Sequence, residues 1–128
     1  MAKTKILFMQ SQPAAYADSM IHATLMRYLD RSQVTVYAAC TAGNGADKSN
    51  SFKVLETIPD LHLRPTNFGP SVNQGTGIKH GQLSGAIGLP FSLLGLARYI
   101  QKNKIQIIHC SEKPRDAFYG YWLARATG

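Results

Sequence analysis

Only two cysteines, Cys40 and Cys110, occur among the 128 residues. Two thiols make no disulfide framework, so the fold must rest on a packed core. Each follows a short apolar run, and both read as buried or half-buried free thiols at strand ends. Long apolar runs are missing too: none approaches the ~18 residues needed to cross a membrane. The run Ile6 to Met9 is too short for a signal peptide, and no small-residue cleavage site follows it, which points to a cytoplasmic protein. Acidic residues are scarce, with seven Asp and Glu against fourteen Lys and Arg, for a net charge of +7. That charge reads either as a solvated surface or as a surface suited to an anionic membrane or a phosphate-bearing ligand. Its residues are scattered, and the densest group is only Arg98, Lys102 and Lys104. Without an aromatic-interleaved basic stripe, a nucleic-acid platform is not expected.

Chemical constellations are equally sparse. His22, His62 and His80 have no ligand spacing with one another or with the cysteines, so no metal site is expected. Ser11 and Ser111 lack the context of an activated nucleophile. Gly75-Thr76-Gly77 resembles part of a dinucleotide fingerprint. Its spacing to Gly81 is wrong, however, and it does not join the first strand to its helix.

What is present is a core-forming composition, 45% apolar and 16% charged, suited to one globular domain. Lys3 to Gln10 reads as a buried parallel strand because Ile6, Leu7, Phe8 and Met9 are continuous. A helix follows, with Asp18 or Ser19 as N-cap and Ile21, Leu25, Tyr28 and Leu29 at helical spacing on its expected core face. Gln33 to Cys40 alternates as a second strand. Ser49 to Leu55 fits either a short helix or a simple crossover. Leu61 to Arg64, bounded by Pro59 and Pro65, fits a short edge strand. Phe68 to Pro90, rich in glycine, reads as a long loop. Phe91 to Lys102 is amphipathic, with Leu93, Leu94, Leu96, Ala97 and Ile100 facing inward.

The stretch Lys104 to Gly128 organises the rest. Ile105, Ile107 and Ile108 form a strand, a polar loop follows, and a helix opens at Pro114. That helix carries Phe118, Tyr121, Trp122 and Leu123 toward a stop at Gly128. Alternating strands and helices predict an α/β fold, a parallel sheet with helices on both faces. Right-handed crossovers predict the strand order 3-2-1-4. This order leaves the apolar fourth strand at an edge. Residues 1–128 therefore read as a single, incomplete Rossmann-like domain, truncated after its fourth βα unit, unless a partner covers that edge.

Two segments carry a family resemblance. One is LFMQSQP with the helix ending LMRYLDR before QVTVYAAC. The other is LARYIQKNKIQIIHCSEKPRDAFYGYWLARATG, a helix, a strand ending in His, a polar loop, and a helix closing on Leu-Ala-Arg. Together they resemble the N-terminal domain of retaining GT-B glycosyltransferases of family four. The resemblance implies acceptor binding for this piece and sugar transfer from a nucleotide-sugar donor only for a longer chain. That longer chain would supply a C-terminal donor-binding domain. No cofactor and no catalytic residue is implied for residues 1–128, and the implied partner is a sugar or a lipid-linked acceptor. The chain departs from the family in lacking a Gly-Gly pair after the first strand, where Tyr16-Ala17 stands. It also lacks the fifth strand and the histidine that follows it.

In open α/β sheets ligands bind at the carboxyl ends of strands, at the switch in strand order. Here that crevice lies between the first and fourth strands. Gln10, Ser11, Gln12 and Tyr16 are expected on one side, and His109, Ser111, Glu112, Lys113 and Arg115 on the other. Gln12 and Glu112 suit sugar hydroxyls, and Lys113 or Arg115 suits a phosphate or carboxylate. His109 reads either as an acceptor contact or as a structural histidine, and Arg115 with Asp116 either as site residues or as a surface pair opening a helix. A flavodoxin-like binding module, its edge covered by a partner, is the alternative reading of the same pattern.

Overall fold

The structure, a computed structural model, describes residues 2–44, 47–69 and 80–128. In chain order the elements are β1 (Thr4–Gln10), α1 (Ala17–Tyr28), β2 (Val34–Cys40), β3 (Gly43–Asn44), β4 (Asp47–Lys48), α2 (Asn50–Glu56), β5 (Leu61–Pro65), α3 (His80–Asn103), β6 (Ile107–Cys110) and α4 (Pro114–Thr127). The main sheet is parallel throughout and ordered β5-β2-β1-β6, the expected 3-2-1-4 arrangement of its four strands. β3 and β4 form a separate two-residue antiparallel ladder.

Strand alternation sorts the core into two layers. Leu7, Met9, Tyr37 and Ala39 point to one face, where Leu96 and Ile100 of α3 and Leu123 of α4 cover them. Phe8, Val36, Ala38 and Cys40 point to the other, under Ala23 and Met26 of α1 and Leu55 of α2. Cys40 and Cys110 are free, as their positions predict. Burial pushes the Cys40 thiol up to about 12 and raises Cys110 as well, so neither is a poised nucleophile. Among the described residues no helix is long and apolar enough to cross a membrane.

Several expectations change. α1 does not bury Ile21, Leu25 and Tyr28; all three are exposed, and Leu29 alone of the expected face packs against the core. The buried face is Ser19, His22, Ala23 and Met26. Small residues let the helix sit close to the sheet, and a hydrogen bond between His22 and Gln10 sets its rotation. The helix starts at Ala17 with Tyr16 as N-cap, so Asp18 and Ser19 lie inside its first turn. Ser49 to Leu55 resolves as helix: Ser49 caps α2 by accepting from the Phe52 N–H (3.1 Å).

Of the loop expected over residues 68–90, residues 70–79 lie outside the described residues and the remainder is not loop throughout. Phe68 is fully buried in the core, and α3 already runs from His80 through Pro90. Glycine content is a weak bar to helix once tertiary packing is available. Gly75-Thr76-Gly77 lies outside the described residues. Within α3, Leu96 and Ile100 are buried, but Leu94 is half exposed rather than inward. The helix ends in a Schellman arrangement. Lys104 adopts φ 55°, its N–H donates to Gln101 O (3.1 Å), and the Ile105 N–H donates to Ile100 O (3.1 Å).

α4 opens on Pro114 and closes on Gly128, whose φ is 81° and whose N–H donates to Ala124 O (3.1 Å). Of its apolar residues, Leu123 packs inward, while Phe118, Tyr121 and Trp122 are exposed. β6 is an edge strand, and Ile107 is exposed there rather than covered on both sides.

Candidate functional site

Parallel pairing brings the carboxyl ends of β1 and β6 together, with Met9 opposite Cys110. The loops that follow are Ser11 to Tyr16 and Ser111 to Lys113, and each feeds a helix N-terminus. One side chain ties them. Asp116 is completely buried in the first turn of α4. Its Oδ2 accepts from the Ser11 N–H (3.3 Å) and from the Ser111 hydroxyl. Ser111 Oγ in turn accepts from the Lys113 N–H (3.2 Å). Arg115 closes the ring from the rim, donating Nε to Ser11 Oγ (3.3 Å) and Nη2 to Ser11 O (3.1 Å). Thr41, just after β2, donates its hydroxyl to the same Ser11 carbonyl (2.7 Å).

A second group sits on the α1 side of the sheet. His22 Nδ1 lies 3.1 Å from Gln10 Oε1, a hydrogen bond in the tautomer protonated at Nδ1. The His22 ring meets His109 edge-on (centroids 4.9 Å apart), and His109 leans on Phe8 (4.8 Å). Lys113 Nζ and Asp18 Oδ2 make a loose ion pair at 3.7 Å, joining the second loop to α1.

The expected site residues therefore divide. Gln10, Ser11, His109, Ser111, Lys113 and Arg115 converge, buried or half-buried, around the two strand ends. Gln12 is half-buried in the same loop, while Tyr16 and Glu112 stand exposed at its margin. His109 makes ring contacts and its Nδ1 has no partner, so it is not a histidine that hydrogen-bonds loop backbone through that atom. Asp116 is no surface partner of Arg115 but the buried centre of the network. His22 and Asp18 join the site without having been expected. Asp116 is the third residue of α4, where a carboxyl can face back toward the loop, and that position was the available signal. His22 gave none, because its role depends on which face of α1 turns inward.

The polar accounting is uneven. Of the described buried side-chain atoms without a hydrogen-bond partner, five of six belong here: Gln10 Nε2, Gln12 Oε1, Asp18 Oδ2, His109 Nδ1 and Asp116 Oδ1, with Arg31 Nε elsewhere. Buried polar groups are normally satisfied, and each orphan costs about 1–3 kcal/mol. A concentration of them at one sheet end marks a place where water or a polar ligand completes the bonding. Among the described residues no group of three His, Cys, Asp or Glu could hold a metal ion.

His22 makes this end of the sheet sensitive to acid. Burial drives its pKa below the ordinary imidazole value of 6.5, and neighbouring His109 pushes it the same way, against Asp18, Asp116 and Glu112. With a depressed folded pKa, His22 adds full stability above pH 6.5. As pH falls below that value, the unfolded chain takes up the proton first and stability is lost until the folded pKa is passed. The urea midpoint is expected to drop between pH 7 and pH 5, and less steeply in His22→Asn. Equal slopes in the two proteins would remove His22 as a cause.

Comparison with protein-family models, with curated proteins and with solved structures finds no match to this chain. The functional reading therefore rests on the residues themselves.

Proposed function

We propose that this chain is the acceptor-binding half of a glycosyltransferase that uses a nucleotide-sugar donor, the donor being held by a separate domain. The observation that carries the reading is the set of five buried polar atoms without a hydrogen-bond partner at the carboxyl ends of β1 and β6, of which, among the described residues, only Asp18 Oδ2 has a charge partner, Lys113. They mix a donor, Gln10 Nε2, with the acceptors Gln12 Oε1, Asp18 Oδ2 and Asp116 Oδ1, and the His109 ring can serve as either. A polyhydroxyl compound both donates and accepts at each hydroxyl, so it can match such a mixture where a purely apolar ligand cannot. Lys113 and Arg115 on the rim add positive charge for an acceptor bearing a phosphate or carboxylate. Retaining transfer also needs donors that stabilise charge on the departing diphosphate, and in this reading the second domain supplies them. The 128 residues alone bind acceptor and transfer nothing.

The test is an NMR titration of isotopically labelled chain with glucose 6-phosphate as a simple phosphorylated sugar and with flavin mononucleotide as a competitor class. Amide shifts confined to Ser11, His109, Ser111 and Lys113 with the sugar phosphate are expected. Lys113→Ala should weaken that binding by about tenfold, the scale of one hydrogen bond to a charged group. Preferential binding of the flavin at the β1 loop would replace this reading with the flavodoxin-like one, and absence of any sugar-phosphate shift would reject it.

A further inference from the structure

The open edge of β6 is built on both sides to receive another strand. The Thr4 N–H donates to Gln33 O (2.9 Å) and the Thr41 N–H to Gln10 O (3.3 Å), so the even-numbered residues of β1 turn toward β2 and Lys5, Leu7 and Met9 turn toward β6. In the observed register Ile107 and His109 therefore bond β1, and Ile108 and Cys110 present their peptide groups on the far side, where among the described residues no strand pairs with β6. On one face of this edge lies a groove of about 870 Å³, bounded by Ile108 and Cys110 of β6, Ile105 before it, and Gly120, Tyr121 and Ala124 of α4. On the other face lies the apolar stripe of α1. Arg27 donates to Thr57 beside α2 (2.9 Å), and His22 meets His109 of β6, which orients the helix. Ile21 and Leu25 therefore fall on its β6 side, both exposed, and Ile107 is exposed beneath them.

We propose that this edge binds an extended segment of a partner polypeptide, apolar on both faces and carrying carboxylates at its ends. The exposed peptide groups call for main chain, which neither a lipid nor a helix offers. The groove on one face and the stripe on the other call for apolar side chains at successive positions. Charge decides the flanks and the source. No Asp or Glu lines the groove, Lys104 does, and the chain carries +7. A second copy would bring the same positive charge to the same edge, whereas an acidic-flanked strand is attracted to it. This inference rests on the sheet edge and is independent of the acceptor reading.

The probe is a synthetic ten-residue peptide with valine and isoleucine at successive central positions and two glutamates at each end, compared with the same peptide flanked by lysines. The glutamate form is expected to shift the amides of Ile108, Cys110 and Tyr121 and to bind at least about tenfold more tightly at low salt. Ile108→Pro removes an outward N–H and leaves the Ile107 and His109 bonds to β1 in place, so it should abolish binding while leaving the circular dichroism unchanged. Ile107→Gln removes apolar cover with no change of backbone or charge and should also weaken the glutamate peptide. Binding that ignores both substitutions would overturn the proposal. So would the absence of any peptide-induced shift, or self-association of the chain through β6 that the peptide does not displace.

Discussion

Replacing Asp116 with alanine is expected to cost the fold about 3 kcal/mol, with two buried donors stranded at about 1–3 kcal/mol each and part of that regained by local relaxation. The donors are the Ser11 N–H and the Ser111 hydroxyl, which belong to different loops and reach the same oxygen of a completely buried carboxyl. Alanine leaves both without a partner and opens a small void between the ends of β1 and β6. Asparagine retains one acceptor oxygen and the side-chain shape, so Asp116→Asn should lose roughly half as much. Urea unfolding at pH 7 with an unchanged m-value is the measurement. A loss under about 0.5 kcal/mol for the alanine variant would mean that the two bonds contribute little and that the loops are held by Arg115 and Thr41 instead. The effect on the site should exceed the effect on the fold. With Asp116 gone the Ser11 and Ser111 loops lose their common anchor, and a sugar phosphate should bind more weakly even under conditions where the chain remains fully folded.

The sheet was legible because strand burial is written in composition. Ile6 to Met9 and Val34 to Cys40 are apolar on both faces, and only central parallel strands bury both. Strand order followed from handedness and from the proline-bounded weakness of Leu61 to Pro65. Helix orientation was less legible. In α1 the largest apolar residues, Ile21, Leu25 and Tyr28, mark a stripe that periodicity assigns to a core, yet Ser19, His22 and Ala23 occupy that place. Periodicity finds a face but does not say which surface it meets, and here the stripe borders an open sheet edge. The candidate site followed the same division. Loops after β1 and β6 were placed by topology alone, so the convergence of Ser11, Ser111 and Arg115 was to be expected. Asp116 and His22 are defined by burial against another element, which no local pattern records.

The largest effect of a single methyl group is expected at Gly120. The residue lies in the middle of α4, where alanine would ordinarily gain up to about 1 kcal/mol of helix propensity. A Cβ built there would sit 2.2 Å from Cys110 Sγ, with Ile108 Cγ2 at 3.7 Å and Met9 Sδ at 3.9 Å. Glycine thus lets α4 lie against β6 and β1 at a distance that no side chain permits. Gly120→Ala is expected to destabilise by about 1–3 kcal/mol net, because Cys110 must leave its rotamer or the helix must lift from the sheet. The culprit can be separated from the backbone. Cys110→Ala removes the sulfur, so the double variant Gly120→Ala with Cys110→Ala should recover most of what Gly120→Ala loses, a coupling of more than about 1 kcal/mol in a double-mutant cycle. Additive losses would show that the helix itself cannot accept the methyl group. A Gly120→Ala protein as stable as the parent would show that α4 stands farther from β6 than the Cys110 contact requires. The cycle also reaches the β6 edge, since Gly120 and Cys110 both line the groove beside it. If relief comes by lifting α4, peptide binding at Ile107 should change with the single variant and return with the double.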